Sequence, residues 1–295
     1  LSPSPSSEES EQRWTREHIR LVIIASVVLM ALLQRSCAAQ RLPVDADEPV
    51  YARAASYYAG LMARGAWGEI PDYTYNLEHP VFNKLLHAAG LRLIGYQGRA
   101  DQPAEPPSSD AIAAWGDEPV ELGVFRIDRY VSVLFGTLQV LAVASVNLLA
   151  GALLAIHTMT VKYTSEIYLE ALPAFAVTSS MLAYNRARRR GDGRTGGWFW
   201  LSAGLLGVTA ASKYVYVVPG LSVIPFLVWQ QRKKPWNALL YGLLALAVFI
   251  ALNTILWPDP VGRLRESVLF HTDYTSSAEV ARYDYPWWQP FSWMR

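Results

Sequence analysis

Apolar residues in this chain gather into long runs divided by short polar or basic joints, and most of the runs are too long to be strands. Leu21 to Leu33 is solidly apolar and extends through Cys37 to Ala39. Tyr130 to Val161 exceeds the roughly twenty residues that cross a bilayer as a helix. It therefore divides near Asn147 into two spans with almost no connecting loop. Ala171 to Tyr184, Trp198 to Ser212, Tyr214 to Trp229 and Trp236 to Trp257 complete the series, with Lys213 parting two of them. The expected fold class is all-α: a polytopic membrane protein of about seven transmembrane helices.

The joints orient these spans. Arg186, Arg188, Arg189, Arg190 and Arg194 crowd one connection, and QQRKKP forms another. Short basic loops stay in the cytoplasm, which puts the N-terminus inside. The 40–125 loop, Lys162 to Glu170, Lys213 and the 258–295 segment then face outward. The expected localisation is an integral protein of a bacterial plasma membrane with its active site external. Residues 1–20 read as a disordered cytoplasmic tail, since LSPSPSSEESEQ lacks apolar periodicity. Residues 21–257 form the membrane domain. Ala38-Ala39 and the length of the first apolar core also suit a cleaved signal peptide, but the spans downstream favour a retained anchor. The lack of an initiating Met, and a stop at Arg295 soon after an external segment, give the expectation of a partial chain whose 258–295 segment leads into a further C-terminal part.

Within the long first loop two amphipathic helices are expected. Asp47 can cap a helix with Glu48 and Pro49 in its first turn. That helix carries Val50, Ala54, Tyr57, Tyr58, Leu61 and Met62 on one side and ends near Gly65. A second starts at Pro80, with Val81, Phe82, Leu85, Leu86 and Ala89 apolar, and His79 and Lys84 flanking its first turns. Gln102 to Asp110 reads as a flexible excursion.

Composition narrows the chemistry. A net charge of +1 argues against a nucleic-acid partner. One cysteine, Cys37, rules out an intrachain disulfide framework and a thiolate metal cage. Neither His157 nor His271 has a second His at ligand spacing, and neither a phosphate-binding loop nor a dinucleotide fingerprint is visible. What stands out is the collection of charged groups at span ends: Asp45, Asp47 and Glu48, then Glu78, His79 and Lys84, then Glu166 and Glu170, then Lys213. Each has a plain alternative: Asp47 as a cap, Lys84 as a solvated helix residue, Lys213 as a side chain snorkelling to the interface.

The arrangement D-E-P-V-Y at Asp47 to Tyr51, followed by H-P-V-F-N-K at His79 to Lys84, resembles the first external loop of GT-C class glycosyltransferases. The pattern is similar to that of protein O-mannosyltransferases and lipid A aminoarabinose transferases. Val81 stands where such families often have a second proline, a mild departure. Ser165 and Glu170 resemble the family's acid entering a later helix, with Glu166 the weaker match. GLLGVTAASKYVYVVPGL resembles its Gly-rich span ending in Ser-Lys-Tyr at Ser212 to Tyr214.

The resemblance implies an inverting transfer of a sugar from a polyprenyl-phosphate-linked donor to a hydroxyl on a glycan, lipid or protein acceptor. It implies Asp47, Glu48 and Glu170 as catalytic acids and Lys84, His79 and Lys213 as ligands of the donor phosphate. A divalent ion, Mg or Mn, could bridge Asp47 and Glu170. The rival readings are a secondary transporter and a non-catalytic assembly subunit. Charges at span ends rather than mid-span count against the transporter.

Overall fold

The computed structural model describes residues 7–45, 47–73, 76–98, 119–189, 196–232 and 234–275, with Pro286 and Trp288. The Gln102 to Asp110 patch, Arg190 and Arg194 lie outside the described residues. Among those described, all regular structure is helical. The α-helices are α1 (Ser7–Arg41), α2 (Glu48–Arg64), α3 (Val81–Leu93), α4 (Pro119–Val146), α5 (Leu148–Ile156) and α6 (Thr158–Tyr163). They continue with α7 (Ala171–Arg189), α8 (Gly197–Ser212), α9 (Val217–Leu221), α10 (Val223–Gln231), α11 (Pro235–Leu252) and α12 (Pro260–Thr275).

The protein is a polytopic membrane protein. Trp14–Arg41, Gly123–Val146 and Pro235–Leu252 are each long and apolar enough to cross a bilayer. Their outer faces are apolar too: Leu21, Val22 and Leu33 on α1 and Leu239, Leu243 and Leu246 on α11 are exposed. Side chains of this kind on the outside of a helix bundle need lipid rather than water.

Three elements differ from the hydropathy reading. Helix α1 starts at Ser7, so residues 7–20 are helical rather than an irregular tail. Pro5 is the last helix breaker, and the Glu, Gln and Arg residues beyond it are good helix formers that extend the apolar segment. The run divides at Asn147, whose extended backbone and side chain accepting from Ala150 N start α5. The span after it is itself broken at His157, which caps α6 in the same way. Tyr214–Trp229 is likewise broken into a 3-10 turn, α9 and α10. Pro219 and Pro225 each remove a backbone donor there.

Polar contacts and close backbone approach join the spans. Ser180 on α7 donates to Ser202 O, Ser202 on α8 donates to Ser180 O, both at 2.8 Å, and the Ser202 hydroxyl lies 2.8 Å from that of Tyr241 on α11. Such exchange between hydroxyls and carbonyls holds helices together where hydrophobicity cannot discriminate protein from lipid. At Gly207 a Cβ would lie 2.4 Å from Ala245 O, so α8 and α11 cross too closely for any side chain there. The first-loop helices α2 and α3 pack together around Ala54, Ala55, Tyr58 and Leu61 of α2 and Val81, Ala88 and Leu91 of α3. Ile255 and Leu256, in the 3-10 turn that follows α11, complete that core. Helix α3 starts at a proline with no capping side chain, and Asn253 Oδ1 supplies the missing acceptor to Val81 N at 3.0 Å.

Candidate active site

Four segments meet at one end of the bundle: the start of α2, the turn before α3, the loop between α6 and α7, and the end of α8. Their junction is fixed by a buried ion pair. Glu48, the first residue of α2, is wholly buried, and Arg129 of α4 grips both its oxygens, Nε at 2.9 Å and Nη2 at 2.5 Å. Backbone N–H groups of Ile167 and Asp45 donate to the same carboxylate at 2.8 and 3.0 Å. The rest of the guanidinium donates to Ala39 O, Leu42 O and Pro43 O. One Arg–Glu pair thus gathers the end of α1, the α1–α2 link, α2 and the α6–α7 loop. All four acceptor positions of Glu48 are occupied, which leaves it no room to take a proton from a substrate.

Asp47, one residue earlier, is exposed, and its side chain makes no cap bond. Its charge acts on Tyr51, the aromatic centre of the site, one turn into α2. The Tyr51 ring meets His79 edge-on at 5.6 Å and Tyr168 at 6.5 Å. Burial raises the Tyr51 hydroxyl well above the ordinary tyrosine range, and the charges of Asp47, Glu78 and Glu170 push it further the same way. Three acids from three segments therefore act on one hydroxyl, and the sequence-predicted Asp47, His79 and Glu170 come within reach of the same tyrosine.

Glu170 caps the start of α7, its carbonyl accepting from Ala174 N. Its carboxylate is ion-paired to Lys213 at the end of α8 and accepts from the Tyr216 hydroxyl. Leu169, just before it, is held at φ 60 although it is a bulky residue. Backbone strain of that kind persists only where surrounding structure enforces it. Beside this pair, Asp45 accepts from Lys162 Nζ at 2.7 Å and from the Tyr168 hydroxyl at 2.5 Å. Asp45 stands out in the sequence only as one of the charged groups at span ends, with no role implied for it, and Lys162 is not singled out at all. Their contact spans distant parts of the sequence, so no local spacing announces it.

Lys84 sits beneath the site rather than on its open face. It is fully buried, donating to Asn76 O at 2.9 Å and Asn76 Oδ1 at 3.0 Å. Asn76, at φ 62, donates in turn to Glu78 Oε1. Burial lowers the Lys84 ammonium to about 7, with Glu78 opposing. Its direct effect is to hold the 76–79 turn that presents Glu78 and His79. Glu166 is also buried, its carboxyl raised to about 7 by burial and by Glu48, against Lys162 and Arg129.

A divalent ion between Asp47 and Glu170 is poorly served by this donor set. Glu170 is committed to Lys213 and Tyr216, and among the described residues no group of three His, Cys, Asp or Glu side chains is placed to hold a metal.

No protein-family model and no curated protein matches the chain. Among solved structures, the S. cerevisiae protein O-mannosyltransferase Pmt1-Pmt2 complex bound to the sugar donor is similar over 81% of this chain, with a TM-score of 0.49 and 16% identity. The chain spans 32% of that protein's chain.

Proposed function

We propose that this protein is a membrane glycosyltransferase of GT-C type that moves a sugar from a polyprenyl-phosphate carrier to an acceptor hydroxyl. The observation that carries the reading is that the exposed Asp47 carboxylate and Glu170, itself paired to Lys213, both act on the charge balance of Tyr51 at one end of the helix bundle. An exposed acid and a cation brought near one aromatic side chain suit a single displacement. Asp47 takes the acceptor proton as the acceptor oxygen bonds to the anomeric carbon. The bond from that carbon to the carrier's phosphate oxygen breaks, and its electron pair leaves with the phosphate. One displacement inverts the anomeric configuration.

Lys213, with a side chain 17% exposed, is the cation best placed to exchange Glu170 for the departing phosphate. His79 packs edge-on against Tyr51 and is a second candidate to meet the phosphate. Lys84 and Glu48 act through the backbone they hold: Lys84 sets the 76–79 turn, and Glu48 sets the pitch of α2 and hence the position of Asp47. A lipid carrier accounts for chemistry at the edge of a helix bundle, since the isoprenoid chain can stay in the bilayer while its phosphate reaches the interface. In this reading the site faces outward, opposite the basic joints.

The test is a product assay. Membranes holding this protein are given isotope-labelled polyprenyl-phosphate sugars, and glycans, lipids and proteins are searched by mass spectrometry for the added mass. Label transferred only when the protein is present supports the reading. Label remaining wholly on the carrier, across a range of sugars and acceptors, contradicts it.

A further inference from the structure

At the end of α7 farthest from Glu170 lies a cavity of about 350 Å³. Helix α7 is 19 residues long, or about 28 Å, so the arginine end of the cavity lies about a bilayer's hydrocarbon thickness from the candidate active site, while Ser179 marks the cavity's reach to mid-helix. Leu182, Leu201 and Leu205 form its apolar wall, and Ser179, Asn185, Arg186 and Arg189 are among the polar groups lining it. Arg186 stacks over Trp198 at 4.7 Å, which fixes one guanidinium at the rim. Arg20 of α1 reaches the same rim, donating to Ser145 O at 2.6 Å. Among the described residues that line the cavity, none is acidic.

A pocket that is apolar toward the bundle centre and cationic at the helix ends matches a phospholipid, with acyl chain inside and phosphate outside. A lipid that merely coats the protein would meet a flat apolar face with charges spread along its edge. Here the two guanidiniums belong to one cavity whose volume is in the range of ligand sites. We infer that this cavity binds an anionic glycerophospholipid of the leaflet opposite the active site. Arg186 and Arg189 would hold the headgroup phosphate, and the leucine wall would take the upper part of an acyl chain. Two positive charges against one phosphate favour a headgroup with no cation of its own over a zwitterionic one.

The experiment uses the whole chain, purified in a zwitterionic detergent and offered equimolar phosphatidylglycerol and phosphatidylcholine, with bound lipid counted by native mass spectrometry. Phosphatidylglycerol should be retained preferentially. Arg186→Ala/Arg189→Ala should reduce that preference about tenfold or more. Ser179→Trp, which fills the cavity and keeps every charge, should reduce occupancy of either lipid. The two variants alter different features, so a folding defect in one leaves the other to decide.

Equal retention of the two lipids by the unaltered protein would overturn the inference. So would a Ser179→Trp protein that migrates as a single species and binds like the parent. Displacement by millimolar inorganic phosphate would overturn it in favour of an anion site. Displacement by polyprenyl phosphate at lower concentration than phosphatidylglycerol would overturn it in favour of a second carrier site.

Discussion

Glu166 and Lys84 are both buried, and their opposite shifts have opposite consequences for stability. The Glu166 carboxyl is raised from 4.5 to about 7, so the folded protein holds its proton more tightly than the unfolded chain does. Its contribution is favourable below pH 4.5 and is lost as pH rises to about 7. Glu166→Gln should therefore raise Tm at pH 8, by about 2–4 °C for each kcal/mol relieved, and change it little at pH 4.5. Thermal melts in detergent at the two pH values measure this, and an equal effect at both would contradict it. Lys84 is lowered from 10.5 to about 7, so here the unfolded chain binds the proton more tightly. Stability associated with Lys84 should rise between pH 7 and 10. Lys84→Met should flatten that rise, provided the Asn76 turn is retained, and a slope unchanged by the substitution would refute the assignment.

At the scale of helices and loops, the Glu48–Arg129 pair carries the geometry. Removing one partner leaves a buried charge unmatched, a loss of about 3–5 kcal/mol. Arg129→Met and Glu48→Met should each lower Tm sharply, while the double substitution should cost less than the sum of the two. A double-mutant cycle by thermal melt checks this, and strictly additive losses would mean that the pair does not organise the junction. This pair also shows where sequence reading stops. Helices α2 and α3 were legible from Pro49, Gly65, Pro80 and the apolar spacing, because caps and periodicity are local. Glu48 and Asp47 were equally legible as an acidic pair. Which one is buried was not, because that depends on Arg129, far along the chain. Lys84 was visible as a cation three residues into a helix, yet the turn that seals it is built by Asn76 in a left-handed conformation. The breaks in the later spans were written in Pro219, Pro225 and His157, but the apolar runs around them masked the signal.

Across the whole molecule, the charges sort to the ends of the bundle: acids, His79 and Lys213 at one, the arginines of α7 at the other. If the arginines face the cytoplasm, impermeant maleimide added to intact cells should label Asp72→Cys and spare Arg186→Cys, both placed in a Cys37→Ser background because Cys37 is exposed. The reverse pattern would invert the orientation. The central claim is that the acceptor proton goes to Asp47. Asp47→Asn keeps the size of the side chain and disturbs no cap bond, so folding and donor binding should persist. The decisive measurement is its turnover with a labelled polyprenyl-phosphate sugar, alongside donor affinity. Turnover should fall about a hundred- to ten-thousand-fold with donor affinity nearly unchanged; near-normal turnover, above all if Glu170→Gln is inactive, would contradict the account.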